Sequence, residues 1–293
     1  MKIAIIGSTG QLGQDLVKAL QPTTEVIALK HQEIDVIKYN NCLTLKQQKP
    51  DIIINAAAFH KTDQCEDEPE KTFAVNAIGP KNVSTVAKEI GATTVFISTD
   101  YVFPGLKNAP YNEADVPEPI NTYGISKYAG ELFTKQNQKH YIFRVASLFG
   151  SAGASGKGGN FVETMINKAK KNEAITVVDD MWMSPTYTHD AAGIITQILA
   201  RDLPYGIYHL TNKGSCTWFQ FTQEILRLTG FSSELKGIKT AQMQVKAKRP
   251  LNSSLTSTKL PMYNLEMRSW KEALHDYLVE KGHITKSSLL ISN

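Results

Sequence analysis

The sequence predicts an α/β protein: a doubly wound parallel sheet covered by helices, joined to a smaller α/β unit. Three observations predict it. Short, continuous apolar runs alternate with helical stretches through residues 1–150. A glycine-rich turn follows the first of these runs directly. After Phe149 the alternation gives way to a small-residue segment and a less regular mixture. Uninterrupted apolar runs of strand length fit strands buried on both faces, which parallel sheets with helical crossovers require.

The elements follow in order. Lys2–Ile6 (KIAII) reads as a buried strand ending at Gly7, and Leu12–Leu20 as a helix stopped near Pro22. Glu25–Leu29 is a second strand, Asn40–Gln48 a helical stretch closed by Pro50, and Asp51–Asn55 a third strand. Glu68–Val75 and Gly79–Ile90 read as helices, Thr94–Ser98 as a fourth strand, Tyr123–Gln136 as a long helix and His140–Val145 as a fifth strand. Ser151–Gly159 is rich in glycine, alanine and serine and reads as a mobile loop. Beyond it, helices are expected over Asn160–Lys171, His189–Ala200, Trp218–Thr229 and Arg268–Lys281, with strands over Ala174–Val178 and Ile207–Leu210. The tail from His283 has no periodicity and is expected to fray.

Composition narrows the function classes. The 293 residues carry 32 basic and 28 acidic side chains, a net charge of +4, with 42% hydrophobic and 20% charged residues. That is globular rather than disordered or collagen-like. The charges are interspersed, so no nucleic-acid partner is expected. No apolar run reaches the ~18 residues of a membrane span, and MKIAIIGSTG is too short for a signal peptide. Cys42, Cys65 and Cys216 form neither a C-x-x-C pair nor an even disulfide framework, which favours a reduced, cytoplasmic setting.

The first strand runs into Gly7-Ser8-Thr9-Gly10-Gln11-Leu12-Gly13. Glycines there let the chain turn tightly and let backbone approach a pyrophosphate, while the next helix offers unpaired N–H groups. Strand before and helix after are the context of a Rossmann-type dinucleotide loop. Lys30 stands just past the second strand, where an acid would suit the ribose of NAD. A cation there suits the 2′-phosphate of NADP. Asp35 is expected at the adenine edge or as a helix cap.

The fourth strand ends in Ser98-Thr99-Asp100-Tyr101, at the carboxyl edge where open α/β sheets bind ligands. Tyr123 and Lys127, four apart, share one helix face. A free tyrosine titrates near 10, which sets ~4 kcal/mol against its deprotonation at neutral pH. An ammonium one turn away favours the phenolate, so Tyr123 could exchange a proton with a carbonyl or alcohol. Thr99 offers a hydroxyl to the same oxygen.

With these motifs in place the chain resembles the dTDP-4-dehydrorhamnose reductase family, a branch of the extended short-chain dehydrogenase/reductases. The resemblance rests on GSTGQLG (7–13), INAAAF (54–59), VNAIGPKN (75–82), ISTDYVFPG (97–105), NTYGISKYAGE (121–131), SPTY (184–187), TWFQF (217–221) and KRPLNSSL (248–255). It implies reduction of a 4-keto sugar nucleotide by NADPH, with NADH also tolerated, in bacterial dTDP-L-rhamnose synthesis. It assigns proton transfer to Thr99, Tyr123 and Lys127. It places Ala56, Ala57, Ala58 and Asn76 at the cofactor, Asp100 and Tyr101 beside the sugar, and Asn160 and Arg249 at the nucleotide-sugar end.

The chain departs from the family pattern where a tryptophan usually faces the sugar: Ser147 stands there. Met181 and Met183 replace a usual glutamine and glycine. Trp182 is expected either to supply the missing aromatic wall or to serve in the core or a lid. These changes leave open another nucleotide 4-keto sugar as substrate, or a non-catalytic NADP-binding subunit similar to the regulatory subunit of methionine adenosyltransferase. Asp15 and Asp190 are the acids nearest a family magnesium site, and no metal is expected. His189 and Asp190 read as a capping pair at a helix start. The expected division is a dinucleotide-binding domain over 1–150, with a return around 173–206, and a substrate-binding domain over 151–172 and 207–293. The protein is expected to be a monomer or homodimer.

Overall fold

In the computed structural model, residues 1–154 and 159–285 are described. Six parallel strands form the main sheet: β1 (Lys2–Ile6), β2 (Glu25–Leu29), β3 (Ile52–Asn55), β4 (Thr93–Thr99), β5 (His140–Val145) and a late strand, Gly206–His209. Their spatial order is β2, β1, β3, β4, β5 and then the late strand. The chain therefore leaves β1 in one direction for β2 and in the other for β3, which makes the β1–β3 junction a topological switch point. Every residue of β3 and β4 is buried, as central strands of a sheet covered on both faces require.

Alternation along β1 feeds two cores. Ile3 and Ile5 pack with Leu12 and Leu16 of α1 (Gln11–Leu20) and with Ile195 and Ile198 of a later helix, Thr188–Ala200. Ala4 and Ile6 pack on the other face with Leu45, Val83 and Val86. That face is covered by short helices α2 (Tyr39–Cys42) and α3 (Thr44–Gln48) and by α6 (Gly79–Glu89), which follows α4 (Thr62–Asp67), α5 (Pro69–Phe73) and a π turn over Ala74–Ile78. The single helix expected over Asn40–Gln48 is thus two, and α4 was not expected. Helix α7 (Thr122–Thr134) begins at Asn121, whose side chain accepts the Gly124 N–H at 2.8 Å.

The second core gathers α8 (Phe161–Lys170), α10 (Trp218–Thr229) and α11 (Trp270–Glu280) around Phe149, Ile166, Phe221, Ile225, Leu274 and Tyr277. Strands β7 (Ile175–Val178) and β12 (Leu235–Ile238) pair in parallel beside them. The other short strands are β6 (Leu148–Phe149), β8 (Trp182–Met183), β9 (Thr186–Tyr187) and β11 (Cys216–Thr217).

The return of the chain to the main sheet, expected around 173–206, begins later, with the helix inside that range. β7 hydrogen-bonds β12 rather than the main sheet, because its buried side belongs to the second core. The return is made by α9 (Thr188–Ala200), which packs on α1, and by β10 (Gly206–His209), which pairs with β5. Leu260, Leu265 and Met267, assigned to the substrate side, also join the first core. The expected Ser151–Gly159 loop includes residues 155–158, which lie outside the described residues; its flanks meet through Ala154 N donating to Gly159 O at 3.0 Å. The expected fraying tail lies outside them from residue 286. Among the described residues no helix is long and apolar enough to cross a membrane, and the three cysteines are free and buried.

Candidate active site

A cleft of about 850 Å³ runs along the carboxyl ends of β1, β3, β4 and β5 to the second core. Its first wall is the glycine loop. Gly7 has φ +79, and a Cβ there would lie 3.0 Å from the Ala56 and Ala57 backbone. A Cβ on Gly13 would stand 2.1 Å from the Gly7 carbonyl, so only glycine lets α1 pack this closely on the turn. No side chain caps α1, whose first N–H groups are left to a ligand at the cleft. Gln11 lines the cleft, and its buried Oε1 has no partner among the described residues. A glycine cradle and open helix N–H groups suit a dinucleotide pyrophosphate, and the unpartnered amide oxygen, an acceptor, suits a donor beside it such as a ribose hydroxyl.

Gly7, Gly10, Gln11, Leu12, Gly13, Asp35, Ala56, Ala57 and Ala58 all line this end. Two residues expected there do not. Lys30 is exposed and off the cleft wall; its neighbour His31 takes the wall position. One residue past a strand end reverses the side to which the chain points. Asn76 lies behind the wall, fully buried. Its amide holds Phe59 N and Phe59 O, both at 2.9 Å, and reaches Ser126 Oγ at 3.1 Å. It ties the loop after β3 to α7 instead of meeting the cleft.

At the centre, Thr99, Asp100, Tyr101, Tyr123 and Lys127 come together on the cleft wall. Thr99 Oγ1 donates to Asp100 Oδ1 at 3.0 Å and accepts the Tyr101 N–H at 3.2 Å. The Tyr101 and Tyr123 rings meet edge to face, 5.8 Å between centroids. Burial pushes the Tyr123 phenol well above its ordinary value, against the Thr99 hydroxyl, which lowers it. Tyr123 is therefore held as a neutral phenol here, not the standing phenolate that its spacing from Lys127 suggested. Burial pulls the Lys127 ammonium down to about 7, with Glu131 opposing. Lys127 Nζ donates to Ile97 O at 2.6 Å and lies over the Phe96 ring. Burial raises the Asp100 carboxyl to about 6, while hydrogen bonds from Ser253 and Thr99 favour its charged form.

The far wall is aromatic. Phe161, Trp218 and Phe221 line it, with the Phe161 and Trp218 rings 4.5 Å apart. Trp182, expected in that role, is 41% exposed and off the cleft. Its backbone is held by Leu251 O and Ser253 N in a strand-like crossing, which points the ring away. Met181 and Met183 are buried and also off the wall. Ser147 does line the cleft, in a left-handed conformation with φ 43.

Asn160 lines the cleft as well, but its side chain is committed. It caps α8 through Glu163 N and donates to Gly150 O and Tyr277 Oη, both at 2.9 Å. Arg249 lies outside the wall, paired with Asp63 at 3.0 Å. Asp190 does not cap α9; it takes Arg268 Nε and Nη2 at 2.8 and 2.9 Å and Asn212 at 2.8 Å. His189 is exposed, stacked on Tyr187. Asp15 is held by Thr188 at 2.5 Å. Sequence reasoning missed His31, Ser253 and the Phe161–Trp218 pair as wall or support residues. Trp218, inside the TWFQF motif, and Ser253, inside KRPLNSSL, stood in motifs that carried a signal.

A neutral phenol and a buried lysine facing the centre of a dinucleotide cleft are the equipment of a short-chain dehydrogenase/reductase, an NAD(P)H-dependent oxidoreductase. Residues 1–282 match the family described as "RmlD substrate binding domain". The spore coat polysaccharide biosynthesis protein SpsK of Bacillus subtilis is 36% identical over 284 residues, 96% of this chain and 98% of that protein. The solved dTDP-4-dehydrorhamnose reductase of Clostridium acetobutylicum superposes with a TM-score of 0.91 at 38% identity, covering 96% of this chain and 100% of that one. That of Bacillus anthracis, solved with NADP, gives 0.90 at 36%, covering 95% and 99%. The chain belongs to the dTDP-4-dehydrorhamnose reductase family.

Proposed function

We propose that this protein uses NADPH to reduce the 4-keto group of dTDP-4-dehydrorhamnose, giving dTDP-L-rhamnose. The observation that carries the reading is the meeting of Thr99, Tyr123 and Lys127 at the middle of one cleft, between the glycine cradle and the aromatic wall. NADPH would be held by the loop Gly7–Gly13, by Ala56–Ala58 and by Lys127; when bound, it supplies the hydride that adds to the ketone carbon. Tyr123, neutral because burial disfavours its anion, gives its phenolic proton to the ketone oxygen as charge develops there. Thr99, whose hydroxyl proton goes to Asp100 Oδ1 in this structure, would turn that proton to the ketone oxygen and orient the oxygen by hydrogen bonding. Lys127 stabilises the phenolate that remains until solvent restores the proton.

The first lobe serves the cofactor. The second lobe, through Phe161 and Trp218, takes the nucleotide sugar together with Asp100 and Tyr101 from the end of β4, the rings offering a stacking face to base or sugar. Asn160 and Arg249 serve that end as supports, through the Gly150 and Asp63 contacts.

One observation favours a second reading, a different nucleotide 4-keto sugar: Ser147 leaves the wall open where a large ring would narrow it. The test is NADPH consumption with dTDP-4-dehydrorhamnose, made in situ, against a UDP-4-keto sugar. Rapid turnover of the dTDP sugar alone supports the first reading. Turnover of the UDP sugar alone moves the assignment to the second, and NADPH binding without either reaction points to a regulatory role.

A further inference from the structure

Behind the cleft lies a buried ionic cluster that no step of the proposed chemistry uses. Glu131, one turn beyond Lys127 on α7, is fully buried. Arg144 on β5 grips it with two parallel bonds, Nε to Oε1 at 2.8 Å and Nη2 to Oε2 at 2.7 Å. Ser98, next to Thr99 on β4, adds a third at 2.6 Å to Oε1. Arg144 Nη1 then meets His209 Nε2 at 3.4 Å on β10. His209 Nδ1 faces the Tyr111 and Thr256 carbonyls at 3.1 and 3.0 Å, which makes it the donor there and leaves Nε2 to accept. The cluster joins α7, β4, β5 and β10 at the strand ends that carry the reactive residues.

A buried ion pair contributes little net stability compared with apolar packing, so its presence asks for another reason. The charges supply one. Lys127 and Arg144 place two cations near one buried carboxylate, and Arg144 alone takes both of its oxygens. Glu131 therefore cannot swing up to neutralise Lys127; it remains a fixed negative charge one turn away. We propose that Glu131 is a positioning residue for Lys127: clamped by Arg144 and Ser98, it supplies the stationary counter-charge that keeps the buried ammonium seated at the cofactor. This rests on the reductase reading for what Lys127 does, but not for how Glu131 acts on it.

The charge that acts on Lys127 is that of Glu131, itself paired with Arg144 on β5; Asp100 and Tyr101 after β4 and Cys65 on α4 act on Tyr123, one turn before Lys127. Burial drives its proton off and Glu131 holds it on. Removing that charge should let the proton leave at lower pH. The experiment measures, against pH, both turnover and the NADPH dissociation constant by nucleotide fluorescence, in the full chain. Wild type, Glu131→Gln, Glu131→Asp and Glu131→Gln with Lys127→Arg are compared.

In Glu131→Gln the alkaline limb of both profiles is expected to move acid-ward by about one unit, a roughly tenfold loss at a pH just above the native limb. Arginine at 127, which keeps its charge, should abolish the shift. Glu131→Asp preserves the pair with Arg144 but draws the charge back by one methylene. It should move the limb the same way by less, and it carries the test if Glu131→Gln does not fold. A uniform drop in rate with unmoved limbs in these variants would overturn the proposal and leave the cluster purely structural. Because the NADPH profile needs no sugar, absence of turnover with the tested sugars would fault the substrate assignment and leave this inference standing or falling on binding alone.

Discussion

On the sheet side of the cleft the lining is backbone and short side chains: Gly7, Gly10, Ala56, Ala57, Thr99. On the opposite side it is rings, Phe161 and Trp218, presented from the first turns of α8 and α10. The first wall is held by strand ends in hydrogen-bonded register, β1 beside β3 and β3 beside β4. A side chain there has its place set by its distance from the end of its own strand. The second wall is held by side-chain packing, Phe161 on Trp218 and Phe221, between helices about 57 positions apart in the chain. On the function proposed above, the chemistry falls to the wall built from backbone, where small errors of position are costly. On the same proposal, recognition of the variable part of the substrate falls to the wall built from packing, where a changed ring alters fit without disturbing the reacting atoms.

The sharpest way to test this division is Tyr123→Phe. It should cut turnover by roughly 10²–10⁴-fold while NADPH affinity changes little. Retained turnover in a stopped assay would remove Tyr123 as the acid and break the contrast at its root. Next comes Asp100→Asn. Burial raises this carboxyl from 3.8 to about 6, so the folded protein holds a proton that the unfolded chain loses between those values. Stability from the protonated form is present at pH below 3.8 and is lost as pH rises to about 6; near neutrality the buried carboxylate costs on the order of 3 kcal/mol. The amide should raise the melting temperature at pH 7 by several degrees and flatten its rise toward acid pH, while lowering turnover. A melting temperature unchanged at pH 7 would place the carboxyl in a wetter setting.

On the packing-built wall, Trp218→Ala should raise the KM for the nucleotide sugar by about tenfold, near the upper worth of one aromatic contact, and leave the NADPH dissociation constant alone. Equal losses in both would show that the second wall also shapes the cofactor site, which blurs the comparison. The smallest effect is expected at the adenosine end. His31→Asp should shift preference from NADPH toward NADH several-fold by opposing a 2′-phosphate. Lys30→Asp should do much less, since Lys30 lies off the wall. The ratio of NADPH to NADH efficiencies, measured for both variants, distinguishes these two neighbours.

Local sequence was enough for the sheet-side elements because each is specified within one strand and one turn. His140–Val145 falls where the apolar periodicity put it, and on the opposite side so does Trp218–Thr229. The glycine loop follows from a Cβ that no other residue could fit at Gly13. The errors were of another kind. Lys30 for His31 is a slip of one residue at a strand end, which reverses facing. Trp182 for Trp218 arose because two tryptophans compete for one wall and only the path of β8 decides between them. Asn76 and Arg249 were read as touching ligands when each bonds protein atoms instead.

The sequence by itself determined the class of fold, the glycine loop and the pairing of Tyr123 with Lys127 on one helix face, because hydrophobic period, glycine geometry and the four-residue helix repeat are short-range properties of the chain. The tertiary structure alone decided which aromatic faces the cleft. It also decided that β7 pairs with β12 while β10 joins the main sheet, and that a tyrosine beside a lysine is held neutral. Those outcomes depend on burial and on contacts between residues far apart in sequence, where desolvation outweighs the nearby charge.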